Sequence, residues 1–247
     1  MKIYRYLIDG EPAVVAECSG KRFVVAGAAN TTELVAAGGP SPQTLKESIL
    51  ARRKRALPAE LGRRLIPLEP PEVWAFGVTY KRSATDREAD TGEGGDIYAR
   101  AHAGPRPETF FKATASRCVG PGEEIGIRGD SALTAPEPEL AYVVGEDNAI
   151  VAYTLANDVS AWDLERENPL YLPQSKIYTA CCALGPCLVT ADDVDAANVE
   201  ITMTIRRGGE VAFEGSANTS QLKYAVEYLH EYLTRYNPLP PGTVALT

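Results

Sequence analysis

The first 28 residues alternate apolar and polar side chains with a period of two, in the runs KIYRYLI, PAVVAEC and RFVVAGA, split by turn residues at DGEP and SGK. Successive side chains of a strand point to opposite faces, so the pattern predicts short antiparallel strands. Residues 41–57, SPQTLKESILARRKRAL, change to a helical pattern, opened by Ser41 as N-cap, Pro42 at the first position and Glu47 further in. RLIPLEPPEVW, residues 64–74, is proline-rich and extended and marks a candidate domain boundary. From there the chain reads as strand-rich to about residue 215, and SQLKYAVEYLHEYLTRYNPLPPG predicts a helix from about Gln221 to Tyr236, stopped by Asn237 and the prolines. The order of elements is α+β and mostly β, not a regular βαβ alternation.

Composition narrows the function classes. Of the 247 residues, 45% are hydrophobic and 23% charged, as in an ordinary globular protein, and the net charge of −8 argues against nucleic acid or an anionic membrane as partner. No apolar run approaches the roughly 18 residues of a spanning helix, and the opening MKIYRYLIDG lacks a signal-peptide core, so a cytoplasmic protein is expected. Five cysteines, three of them in CCALGPC and none in a C-x-x-C, read as reduced, small buried hydrophobes. The basic run RRKR at 52–55 sits on the predicted helix and reads as its solvated face. The glycine-rich TGEGGD, residues 91–96, lacks a phosphate-loop lysine and reads as a mobile loop.

The segment LTAPEPELAYVVG, residues 133–145, carries the chemistry. Leu140 to Val144 reads as a buried strand, yet Glu137 and Glu139 lead into it on one face with Pro138 between them, which places the segment at a sheet edge or a bulge. Two such carboxylates repel unless they are solvated, share a proton or hold a cation. VVGEDNAIV predicts a hairpin turning at 145–148. With Val144 facing Ala149, Glu139 faces Thr154, Glu137 faces Ala156, and Asp158 falls opposite Ala135 on the face of both glutamates. Three carboxylates without histidine or cysteine suit a hard dication, Mg²⁺ first, with Mn²⁺ or Ca²⁺ able to substitute. Three anions around a dication leave negative charge, so an anionic substrate needs a further cation, for which Lys176 in LPQSKIY is the candidate.

PPEVWAFGVTY, RPETFFKATASRCVGPGE, TAPEPELAYVVG, NDVSAWDLERENPLYLPQSKIY and ALGPCLVT together resemble the fumarylacetoacetate hydrolase superfamily, and within it the 2-keto-3-deoxy-D-arabinonate dehydratases, from about Pro70 to Thr247. The resemblance implies a mixed β-roll catalytic domain over 67–247, a small N-terminal α/β domain over 1–66, and a homo-oligomer, dimer or tetramer. It implies that Glu137, Glu139 and Asp158 hold Mg²⁺ and that Glu108 and Lys176 lie around the substrate, with Tyr80, Arg82 and Lys112 as further substrate-binding candidates. Hydrolases of the superfamily carry a motif like G-x-N-Y-x-x-H, whose histidine activates water; in GVTYKRS, Thr79 and Ser83 stand at the asparagine and histidine positions, and the chain's two histidines, His102 and His230, lie elsewhere. His230 reads as a partly exposed packing residue of the C-terminal helix. Relatives read D-V-[ST]-A-R-D where this chain has Trp162 for the arginine, which deprives Asp163 of a neighbouring charge partner. Relatives also continue beyond PGTVALT, so the catalytic domain reads as incomplete at its C-terminal end.

On this resemblance the expected activity is Mg²⁺-dependent dehydration of a 2-keto-3-deoxy sugar acid, such as 2-keto-3-deoxy-D-arabinonate, to 2,5-dioxopentanoate in sugar-acid catabolism. Glu108 is expected to transfer protons at C3 and C4, and Lys176 to meet the enolate oxygen or substrate carboxylate, with either as the base. The long polar segment over residues 86–107 reads as a lid with Arg82 and Arg87 as selectivity candidates. The alternatives are a C–C hydrolase of acylpyruvates or fumarylacetoacetate-like diketo acids, and a metal-binding inactive relative.

Overall fold

The computed structural model describes residues 1–55, 57–58, 60–80 and 103–247. Three antiparallel strands open the chain as the alternation predicts: β1 (Lys2–Ile8), β2 (Glu11–Cys18) and β3 (Lys21–Val25). Asp9–Gly10 and Ser19–Gly20 turn them with positive φ, the conformation two-residue hairpin loops require. A short helix that the sequence reading passed over, α1 (Thr31–Ala36), follows its cap Asn30, and then comes α2 (Pro42–Ala51). Ser41 caps α2 as expected, with Thr44 rather than Glu47 closing the capping box. The helix stops well short of residue 57. Arg53–Arg55 forms β4 on the edge of β3, so the basic run is an edge strand and not a solvated helix face. Pairing with the open edge of β3 outweighs the helix propensity of the arginines and lysine.

The rest of the chain adds β5 (Val73–Gly77), β6 (Glu108–Ala113), β7 (Cys118–Val119), β8 (Thr134–Ala135), β9 (Pro138–Val144), β10 (Ile150–Asp158) and β11 (Ser160–Ala161). Two short helices, α3 (Trp162–Glu167) and α4 (Leu172–Lys176), lead to β12 (Cys182–Thr190). Strands β13 (Glu200–Arg207) and β14 (Glu210–Asn218) make a separate ribbon, and α5 (Val226–Thr234) and β15 (Val244–Leu246) complete the order. The predicted helix at 221–236 is shorter than expected because Leu222 bridges to Tyr80 and Lys223 donates its N–H to Thr79 O, which holds that stretch extended.

Among the described residues, eleven strands form one mixed sheet in the order β4-β3-β2-β1-β12-β10-β9-β15-β5-β6, with β7 also on β12; β5/β15 and β7/β12 are its parallel pairs. On one face Ala141, Val143, Val244 and Leu246 pack with Leu34 and Val35 of α1 and Leu45 and Ile49 of α2. On the other, Tyr142, Val144 and Ala245 pack with Val226, Leu229 and Leu233 of α5. Strand β9 is therefore covered on both sides, which is why its run from Leu140 to Val144 is continuously apolar. Sheet order brings the C-terminal ends of β5, β10 and β15 and the N-terminal ends of β6, β9 and β12 to a single rim.

A candidate metal and acid–base site

The three carboxylates meet on that rim. Glu137, Glu139 and Asp158 each offer an oxygen, and these lie within 4.8 Å of one another. The register that brings them together differs from the simple hairpin count. Glu139 faces Ala156 instead of Thr154, the N–H of Asp158 donates to Glu137 O at 2.9 Å, and Ala135 pairs with Ser160. The turn is a 3₁₀ segment over Glu146–Asn148, and the ladder slips by one residue between Ile150 and Ala152. The net offset is two residues, an even number, so every side chain keeps its face. Pro138 is the first residue of an interior strand rather than part of an edge or bulge, a position where its missing N–H breaks no ladder bond. The N–H of Glu137 just before it donates to Asn157 Oδ1 at 2.9 Å.

Two ammonium groups answer the carboxylates. Lys176, at the last position of α4 and almost fully buried, donates to Glu137 Oε2 at 2.6 Å, Asp158 Oδ2 at 2.7 Å and Ser160 Oγ at 2.6 Å. Lys112 is wholly buried on β6, 2.6 Å from Asp158 Oδ1, and donates to Val159 O at 2.9 Å and Lys176 O at 2.6 Å. The structure places this substrate-binding candidate beneath the cluster, tying Asp158 to the backbone that carries Lys176.

Glu139 is different. Its Oε2 is buried with no hydrogen-bond donor among the described residues. Burial pushes its carboxyl pKa well above the usual range, and Asp158 and Glu137 push it further. A buried acceptor on a cluster with surplus negative charge is a group that a hard cation would satisfy, and an all-oxygen donor set fits Mg²⁺.

Glu108 starts β6 opposite Gly77 at the end of β5, and its carboxylate lies over Gly77 so closely that a Cβ there would overlap it. Glycine is thus required for the carboxylate to lie flat on the sheet face it shares with Phe110 and Lys112. Tyr80 lies near enough to Glu139 to feel its charge; burial first and that charge second raise the phenol pKa to about 12, so it stays protonated as a donor. Arg82, Arg87, Ser83, His102 and nearly all of the expected lid lie outside the described residues. His230, as expected, is a half-buried packing residue, edge-on to Tyr142 with Nε2 2.6 Å from Asn148 O. Asp163 does not lack partners: Ser131 Oγ and Ala132 N each donate to it at 2.7 Å.

Two partners of Glu137 were not foreseen in the sequence, Ser160 and, beyond its place in the motif, Trp162. Ser160 Oγ lies 3.1 Å from Glu137 Oε2, and the indole N–H of Trp162 donates to Glu137 Oε1 at 2.7 Å. The signal was present, because period-two counting continued past Asp158 gives 160 and 162.

Comparison with known proteins shows the family. The profile of the fumarylacetoacetate (FAA) hydrolase C-terminal region matches residues 72–247. A 2-dehydro-3-deoxy-D-arabinonate dehydratase of Saccharolobus solfataricus is 49% identical over 186 residues, 73% of this chain and 62% of its own length. A probable 2-keto-3-deoxyxylonate dehydratase of Haloferax volcanii is 48% identical over 183 residues, 74% of this chain and 63% of its own. The matched region therefore spans about three-fifths of those relatives. A solved 2-keto-3-deoxy-D-arabinonate dehydratase, complexed with magnesium and 2,5-dioxopentanoate, superposes with a TM-score of 0.85 at 37% identity, covering 100% of this chain and 87% of that one. The fumarylacetoacetate hydrolase of Exiguobacterium antarcticum superposes at 0.74 with 26% identity, covering 100% of this chain and 86% of its own. By its profile match and by its identity to these relatives, the chain belongs to the fumarylacetoacetate hydrolase family.

Proposed function

We propose that this chain carries a Mg²⁺-dependent hydro-lyase site that dehydrates a 2-keto-3-deoxy sugar acid, 2-keto-3-deoxy-D-arabinonate in the first instance, to 2,5-dioxopentanoate. The observation that carries the reading is the convergence of Glu137, Glu139 and Asp158 within 4.8 Å, Glu139 keeping a buried oxygen with no donor among the described residues. Likeness to dehydratases, one solved with magnesium and this dicarbonyl acid, supports the choice of metal and substrate class. In this reading Glu137, Glu139 and Asp158 hold Mg²⁺, which when bound supplies Lewis-acid polarisation of a 2-oxo acid's carboxylate and ketone.

The chain's own residues supply the rest. Lys176 spends its three N–H donors on Glu137, Asp158 and Ser160, so it serves as a fixed cation facing the substrate carboxylate or the developing enolate oxygen. Proton transfer then falls to Glu108, which takes a proton from C3 and gives one to the departing C4 hydroxyl. Loss of a C5 proton and return of one to C3 move the double bond to C4–C5, and ketonisation yields the aldehyde. One water leaves and no redox cofactor is consumed. The GVTYKRS stretch, with Thr79 and Ser83 at the positions of asparagine and histidine, favours dehydration over C–C hydrolysis. The reading extends to a cytoplasmic homo-oligomer acting in pentose and sugar-acid oxidation, with 1–66 as a small N-terminal domain and 67–247 as the catalytic domain. Among the described residues no helix is long and apolar enough to cross a membrane.

The test is incubation with Mg²⁺ and either 2-keto-3-deoxy-D-arabinonate or an acylpyruvate, with products followed by NMR. Formation of 2,5-dioxopentanoate, lowered about 10²–10⁴-fold by Glu108→Gln at unchanged Mg²⁺ affinity, is expected. Pyruvate release from the acylpyruvate alone identifies a hydrolase, and Mg²⁺ binding without turnover of either identifies an inactive relative.

A further inference from the structure

We propose that Trp162 is a positioning residue for the metal site, holding Glu137 in its coordinating orientation through the indole N–H. The inference rests on the metal reading above and adds a residue to it. Trp162 opens α3 directly after β11, and β11 pairs with β8 through Ser160–Ala135 and Ala161–Thr134. The backbone N–H of Trp162 donates to Leu133 O at 2.9 Å, which extends this ladder by one bond. The segments before and after the hairpin of β9 and β10 are therefore stitched together, and Trp162 is carried back over the carboxylate of Glu137. Its Nε1–H donates to Glu137 Oε1 at 2.7 Å, while Oε2 meets Lys176 at 2.6 Å and Ser160 at 3.1 Å. With both oxygens held, the carboxylate cannot rotate about its terminal bond.

The chemistry of the donor matters. An indole N–H donates and never accepts, and it carries no charge, so it fixes Glu137 without adding a positive group beside the dication. An arginine at this position, as in the D-V-[ST]-A-R-D form of the motif, would donate equally well but bring a cation to the metal's edge. Arg166, one helical turn on, stacks at 5.4 Å over the Trp162 ring and fixes the plane in which the N–H points. Hydrogen-bond partners that orient metal-ligating groups are worth about 10–100-fold in metal affinity.

Two substitutions separate positioning from packing. Trp162→Phe keeps an aromatic ring and removes the donor. Trp162→Gln loses the ring but places an amide N–H three bonds from Cβ, as in the indole. Calorimetric titration of the metal-free protein with Mg²⁺ is expected to show Trp162→Phe binding about 10–100-fold more weakly. Trp162→Gln should recover most of that loss. Circular dichroism melts without metal should place Trp162→Phe close to wild type. Equal Mg²⁺ affinity in wild type and Trp162→Phe overturns the proposal. So does an affinity lost equally in both variants, or a Trp162→Phe protein that does not fold, since each marks a packing role. Wild-type protein that takes up no Mg²⁺ would instead overturn the metal reading itself.

Discussion

Replacing Glu139 with glutamine should stabilise the metal-free protein while abolishing its response to Mg²⁺. The carboxylates of Glu137, Glu139 and Asp158 face the ammonium groups of Lys112 and Lys176, so among the described residues the carboxylates outnumber the ammonium groups by one. Glu139 is the least compensated of the three, because its Oε2 is buried without a donor among the described residues and its ionisation is opposed by burial, Asp158 and Glu137. A buried acceptor left unsatisfied costs about 1–3 kcal/mol. The amide of glutamine has the same shape, carries no charge and can donate to a neighbouring carboxylate, so Glu139→Gln should regain about that amount. For a chain of this size each kcal/mol moves Tm by about 2–4 °C, a shift well within reach of scanning calorimetry. Wild type should gain a further ~2.7 kcal/mol at a Mg²⁺ concentration of about 100 Kd, whereas the variant should gain almost nothing. Adding metal therefore closes the gap between the two proteins, and it inverts their order where the metal-free gain is below ~2.7 kcal/mol. A metal-free Glu139→Gln protein that melts below wild type, or one that keeps the full Mg²⁺ shift, would refute the charge argument.

Lys112→Met should be among the most damaging substitutions in the chain, since removing one partner of a buried ion pair costs about 3–5 kcal/mol and Lys112 also holds Val159 O and Lys176 O. Urea unfolding reads this directly, and a loss below about 1 kcal/mol would show that Lys112 is not the strut described. His230 gives a pH signature: burial lowers its pKa from 6.5, so the folded state binds fewer protons than the unfolded. Its contribution to stability is intact above pH 6.5 and is lost as pH falls below 6.5 through the depressed folded value. His230→Gln should flatten the stability profile across that window, and an unchanged slope would place the acid sensitivity elsewhere.

Much of the site was legible because period-two geometry is local. The shared face of Glu137 and Glu139 follows from their spacing alone, and Asp158 joined them despite a wrong register, since the error of two residues preserves parity. What the sequence did not show depends on distant chain. The end of α2 at Ala51 depends on an open edge of β3 some 30 residues earlier, which helix patterns cannot register. The missed helix α1 carried a readable cue, Asn30 followed three residues later by Glu33, but at six residues it was too short for its periodicity to stand out. The partners of Lys112 and Lys176 lie 46 and 18 residues from them at Asp158, and no local pattern specifies such contacts.

Lys112 also changes the charge of the site. Counting from the sequence, three carboxylates around a dication give −1, and Lys176 brings the site only to neutrality. The structure adds a second ammonium beside Asp158, buried so deeply that no solvent ion can replace it. With a dication held, the cluster would carry +1, the complement of a single substrate carboxylate. Interactions at such burial are weakly screened, so the match should favour monocarboxylate 2-oxo acids over dicarboxylates or neutral ketones. Lys112, buried against Asp158, would thus set the sign of the field that a bound substrate meets.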